Sequence, residues 1–133
     1  TNQIKKSKNM NPIAWVEIPV LDMERAIKFY STVFNWKMKV DMDGPLKMSF
    51  FPFQPNVEGG SGALVHMPKF YEPSAKAGAL VYLAFDDILG AEKRILKNGG
   101  KVEISKREIA PEHGFMALFI DSEGNRIGIH SQH

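Results

Sequence analysis

Twice along the chain, an alternating apolar stretch runs into an Asp and then into apolar positions spaced three and four apart. Residues 15–26 read WVEIPVLDMERA and residues 80–91 read LVYLAFDDILGA, which sets Asp22 and Asp87 at an offset of 65. The alternation predicts a half-buried strand in each copy, and the 3–4 spacing predicts an amphipathic helix after it. Each Asp is placed to accept from the first free amide hydrogens of its helix. The first helix would bury Met23, Ala26, Ile27, Tyr30, Val33 and Phe34, and Asn35 suits a left-handed terminating residue. The second would bury Ile88, Ala91, Ile95 and Leu96 and stop at Asn98-Gly99-Gly100.

Three strand candidates follow each helix. They are 36–42, 46–53 and 62–67 in the first half, then 101–109, 114–120 and 126–131 in the second. Asp43-Gly44-Pro45 and Ser122-Glu123-Gly124-Asn125 supply turns, and the segment 68–78 (PKFYEPSAKAG) reads as a linker. The repeating unit is βαβββ. The predicted fold is α+β: two such modules forming a curved eight-stranded mixed sheet around a cleft, with the helices outside. Residues 1–11 are expected to be a flexible tail, 12–67 the first module and 79–133 the second, within one domain. Phe50, Phe51, Phe53, Phe115 and Phe119 are assigned chiefly to the core.

Composition narrows the function classes. Apolar residues make up 44% and charged residues 24%, the profile of a soluble globular chain. No apolar run approaches the roughly 20 residues that cross a bilayer, and TNQIKKSKNMN lacks the apolar segment of a secretory signal. With no cysteine there is neither a disulfide nor thiolate chemistry, and a cytoplasmic address is expected. The formal charge of +2 comes from Lys5, Lys6 and Lys8; without them 14 basic residues face 15 acidic ones. No basic stripe marks a nucleic-acid binder, so the expected partners are a small molecule and a second copy of the chain, with no nucleic acid and no membrane.

The stretches VEIPVLDMERAIKFYSTVFNW, VYLAFDDI, ILKNGGKV and FIDSEGNRIGIHS, in that order, resemble the vicinal oxygen chelate superfamily of glyoxalase I, bleomycin-resistance proteins and extradiol dioxygenases. The resemblance implies paired βαβββ modules, a small-molecule cleft and a homodimer. It also implies a divalent metal held by one ligand from the first and one from the last strand of each module. Those positions fall on Trp15, about Leu64, Leu80 and Gly128, none of which ligates a metal.

Strand alternation sends Trp15, Glu17, Leu80 and Tyr82 to the cleft, with Arg126, Gly128 and His130 in the last strand. Matching GALVHM to RIGIHS pairs His66 with His130 at an offset of 64. Glu17, His66, Tyr82 and His130 would then stand two residues beyond the family's ligand positions. Two readings follow. In the first, these residues and Trp15, Leu64, Leu80 and Gly128 line an apolar, metal-free pocket for a small organic molecule. Within that reading Glu17 is a candidate base with a raised pKa among apolar neighbours, and Tyr82 and His130 are its catalytic companions. In the second, Glu17, His66 and His130 form a displaced site for Fe, Mn or Zn serving a lyase, isomerase or dioxygenase. His113 is read as a turn residue and His133 as terminal. The glycine-rich 58–62 stretch precedes a strand, so it is no phosphate loop.

Overall fold

The computed structural model describes residues 11–57 and 59–133. The lysines of the expected tail and Glu58 of the glycine-rich stretch lie outside them. In chain order the elements are β1 (Trp15–Pro19), α1 (Met23–Phe34), β2 (Lys47–Phe50), β3 (Ser61–His66), β4 (Val81–Ala84), α2 (Ile88–Lys97), β5 (Lys101–Ala110), β6 (Gly114–Ile120) and β7 (Arg126–Ser131). They form two mixed sheets, ordered β1-β3-β2 and β4-β7-β6-β5. In each, the first strand of the module lies parallel to the last. The architecture is the paired α+β arrangement, with seven strands among the described residues in place of eight.

The missing strand is 36–42. Trp36 and Met38 alternate inward against the core while Lys37 and Lys39 point out, so the burial pattern holds without a ladder. Only Met42 bridges Met48, with Met48 N–H donating to the Met42 carbonyl at 3.0 Å. The outer edge of β2 is satisfied otherwise: the Asp41 carboxylate accepts the Phe50 N–H at 2.8 Å. Pro52, which has no N–H, prevents the ladder from continuing past β2.

Both helix caps form as expected. Asp22 accepts from Arg25 N–H at 3.1 Å and Asp87 from Gly90 N–H at 2.9 Å. Asn35 is left-handed at φ 57°, whereas at the end of α2 that role passes to Gly99, with φ 90°. The α1 face that is buried includes Phe29 as well as Tyr30, Val33 and Phe34. Leu96, assigned inward by spacing, is exposed, because α2 is covered only along Ile88, Ala91 and Ile95.

The two helices pack side by side, and the Arg94 guanidinium donates to the Val33 carbonyl at 2.8 Å. Beneath them Ile18, Leu64, Leu83, Ile127 and Ile129 from both sheets join one core with Phe29, Tyr30, Phe34 and Phe119. Burying such a side chain contributes roughly 1.5–3 kcal/mol each, so neither module would keep its stability alone. Of the phenylalanines assigned to the core, Phe50 and Phe53 are exposed.

A polar clamp ties the modules together. In the hairpin Asp121–Asn125, buried Asp121 accepts from the Tyr30 hydroxyl at 2.6 Å and from the amides of Glu123 and Asn125. The Glu123 carboxylate accepts from Leu21 N–H, Asp22 N–H and the Arg25 guanidinium at 2.7–2.9 Å. Asn125 donates to the Pro19 carbonyl at 2.7 Å. The turn between β6 and β7 therefore caps the entrance of α1. Burial pushes Glu123 up, but Arg25, the amides and Ser122 together hold it below the usual carboxylate value. Burial prevails at Asp121, whose pKa is raised despite the Tyr30 and Asn125 hydrogen bonds.

Candidate functional site

With the helices covering one face of both sheets, the opposite face is left for a site. β1 and β4 are the free edges of the two sheets; their backbones do not touch, and the seam between them holds two cavities. A cavity of about 390 Å³ at one end of this seam is lined by Ile13, Val16, Trp36, Phe51, Leu83 and Ala84, among others. A second of about 230 Å³ at the other end touches Ile18, Pro19, Val81 and Ile127. Tyr82 borders the first cavity, and Glu17 borders the second together with Arg126.

Strand register decides which expected residues meet here. Glu17 pairs with Ala63 and Tyr82 with Gly128, so the repeat keeps its offset of 65 through the last strand of each module. The offset of 64 that matched His66 to His130 is one residue out, and a slip of one reverses the face. Leu64 lies in the core under the helices, opposite Ile18. His66, two residues on, shares the Leu64 face and leaves the Glu17 face to Ala63 and Val65. His130 stays with Tyr82, Ala84 and Gly128 on the open face, where its Nε2 lies 2.7 Å from the His113 carbonyl. Glu17, His66 and His130 thus do not converge. No group of three His, Cys, Asp or Glu side chains among the described residues is placed to hold a metal.

Glu17 is exposed, so the burial expected around it is absent. Its carboxylate is instead held from both sides. The Trp15 indole N–H donates to Oε2 at 3.2 Å and the Tyr71 hydroxyl to Oε1 at 2.5 Å. That hydrogen bond, more than the adjoining burial and charge, raises the Tyr71 pKa. Tyr71 was missed by sequence reasoning because it lies in the segment read as linker. That segment crosses the open face: Tyr71 packs on Met48, Ala63 and Val65, and the Ser74 carbonyl accepts from Arg126 N–H at 3.3 Å. The only available signal was an aromatic residue between two prolines.

Aromatic surface dominates what remains. Trp15 and Tyr82 are each 46% exposed, and Trp15 meets Phe50 edge to face at 5.9 Å. Leu80 is exposed as well. Tyr82 lies over Gly128 so closely that a β-carbon at 128 would enter its ring.

The model of the glyoxalase/bleomycin resistance protein/dioxygenase superfamily matches residues 12–129. The chain belongs to this superfamily. A glyoxylase-like domain-containing protein of Didymella fabae is 33% identical over 116 residues, covering 85% of this chain and 88% of that protein. Among solved structures, a glyoxylase/bleomycin resistance protein/dioxygenase domain from Frankia has a TM-score of 0.70 at 16% identity, covering 92% of this chain and 98% of that one. A glyoxalase I variant from Zea mays also reaches 0.70, at 21% identity over 91% of this chain. The chain spans only 46% of that maize protein. At these identities the structural likenesses establish the shared fold.

The metal centre implied by the superfamily can be tested against the residues present. With the observed register its four positions are Trp15, Ala63, Leu80 and Gly128. None carries an oxygen, nitrogen or sulfur atom with a lone pair free to bind a metal, so this superfamily member's side chains do not fit the usual centre.

Proposed function

We propose that this glyoxalase-superfamily chain binds a small organic molecule on the open face along the β1–β4 seam, through apolar and aromatic contacts and without the superfamily's usual metal centre. The observation that carries the reading is the replacement of the metal-binding positions by Trp15, Ala63, Leu80 and Gly128 beside exposed Tyr82 and Phe50. The cavity of about 390 Å³ reaches Tyr82 from the core side, where Val16, Trp36, Phe51 and Leu83 line it, and its size is within the range that takes small ligands. Glu17 supplies an acceptor whose orientation is fixed by Trp15 and Tyr71. The superfamily resemblance that implies paired modules also implies pairing of two copies into a homodimer.

The test is ligand-observed NMR with a library of apolar and aromatic fragments, run on metal-stripped protein and repeated with Fe, Mn or Zn. Binding without metal, abolished by Trp15→Ala, is the expected result. Binding that appears only after metal is restored, accompanied by stoichiometric metal in elemental analysis, would overturn it. Light scattering of the same sample reads the homodimer directly.

A further inference from the structure

The second cavity of the seam differs from the first in its chemistry. Ile18, Val81 and Ile127 give it an apolar floor, and Glu17, Glu72 and Arg126 border it as charged residues. Glu17 belongs to β1 and Arg126 to β7, so a carboxylate and a guanidinium from different modules line one space. They do not pair with each other, and among the described residues neither Glu17 nor Glu72 has an ion-pair partner. Both Glu17 oxygens accept from neutral donors, Trp15 and Tyr71, which fix the carboxylate and leave its charge uncompensated. Arg126 meets Glu103 through Nε at 3.4 Å, which leaves the donors of its two terminal nitrogens for another acceptor. The stretch 74–79 closes a further side. It is fastened by Ser74 N–H donating to the Asn125 side chain at 3.2 Å and by Arg126 N–H donating to the Ser74 carbonyl at 3.3 Å. The volume of about 230 Å³ lies below the roughly 300 Å³ at which pockets for drug-sized ligands begin, so an occupant must be compact.

We propose that this cavity binds a compact zwitterion with an aliphatic side chain, in the simplest case a free amino acid. Its ammonium group meets Glu17 and Glu72, its carboxylate meets Arg126, and its side chain rests on Ile18, Val81 and Ile127. Opposite charges that share a cavity without pairing are both compensated by a molecule that carries both signs. A simple cation leaves Arg126 without an acceptor, and a simple anion is repelled by two carboxylates. Glu17 retains lone pairs beyond those taken by Trp15 and Tyr71. The site is separate from the apolar cavity at Tyr82 and does not rest on that reading.

The test is an NMR titration that follows the backbone amides of Ile18, Val81 and Ile127 with four probes. These are L-valine, isobutylamine (valine without its carboxylate), isovalerate (valine without its amino group) and glycine (no side chain). Valine should bind about tenfold more tightly than each of the others. Arg126→Gln should reduce valine to the level of isobutylamine, and Glu17→Gln should weaken valine about tenfold. Glu103→Gln removes the acceptor that competes for Arg126 and should tighten valine about twofold, a gain that misfolding cannot imitate. Tyr82→Ala, which alters only the other cavity, should leave valine binding unchanged. Isobutylamine binding as tightly as valine would overturn the proposal, as would valine affinity indifferent to Arg126→Gln in folded protein. The absence of any shift with valine at these amides would also overturn it. Aromatic fragments that still bind at Tyr82 would then leave the apolar-cavity reading standing.

Discussion

The two modules share a sequence pattern and differ in how completely they hydrogen-bond. In the second, β5, β6 and β7 form continuous ladders, and the bends needed to curve the sheet are absorbed by register shifts in β5. In the first, β2 has four residues, and the segment before it touches the sheet at a single bridge. Proline accounts for much of this: of the eight in the chain, only Pro111 lies in the second module, at the turn between β5 and β6. The consequence is a division of labour. The second module supplies the rigid hairpin that caps α1, while the first leaves exposed rings and an exposed carboxylate at the seam. A repeat in sequence therefore sets which residues face inward, and the distribution of backbone donors sets which half is stiff.

The contrast breaks most sharply at Glu123. Glu123→Ala removes the acceptor for two α1-entrance amides and for Arg25, and should cost about 3 kcal/mol in urea unfolding. A loss below about 1 kcal/mol would mean that the hairpin is not the tie between modules. Tyr30→Phe, which leaves buried Asp121 short of a donor, should cost about 1.5 kcal/mol by the same measurement. The counterpart in the first module is weaker. Asp41→Ala frees only the Phe50 amide at an exposed edge and should cost about 0.5–1 kcal/mol, with faster amide exchange confined to 47–50. Exchange spreading into β3 would show that the first sheet is stiffer than its hydrogen bonds imply.

The smallest effect is on pH dependence. Glu123 is held below its ordinary value of 4.5, so its contribution is present above that pH and is lost as pH falls through the lowered folded-state pKa. Asp121 is raised above 3.8 and acts in the opposite sense: its contribution is full below that value and is lost as pH rises through the raised folded-state pKa. Glu123→Gln should therefore flatten the acid-side fall in the thermal midpoint and expose the Asp121 trend. An unchanged acid limb would exclude Glu123 as its source.

Much of the fold could be read directly from the chain. Asp22 and Asp87 as caps, Asn35 as a terminator, and strands at 114–120 and 126–131 all followed from local pattern, because caps and alternation are properties of neighbouring residues. The site was harder to read. Trp15, Glu17, Leu80, Tyr82, Gly128 and His130 were placed on the open face by alternation within their own strands. His66 and Leu64 were misplaced because their assignment required aligning two different strands, where one residue of slip exchanges the faces. Tyr71 had no periodic context at all, and its bond to Glu17 joins residues 54 apart.

The sequence by itself determined the repeat, the helix boundaries, most of the inward-facing residues and the lack of metal-binding side chains at Trp15, Leu80 and Gly128. Those are local matters of residue chemistry and period. Only the tertiary structure decided that Ala63 is the partner of Glu17, that Tyr82 rests on Gly128, that Tyr71 reaches the open face and that the 121–125 hairpin caps α1. Each of these depends on the register between strands or on contact between segments far apart in the chain, and such information is stored in packing and hydrogen-bond geometry, not in the spacing of residues along one element.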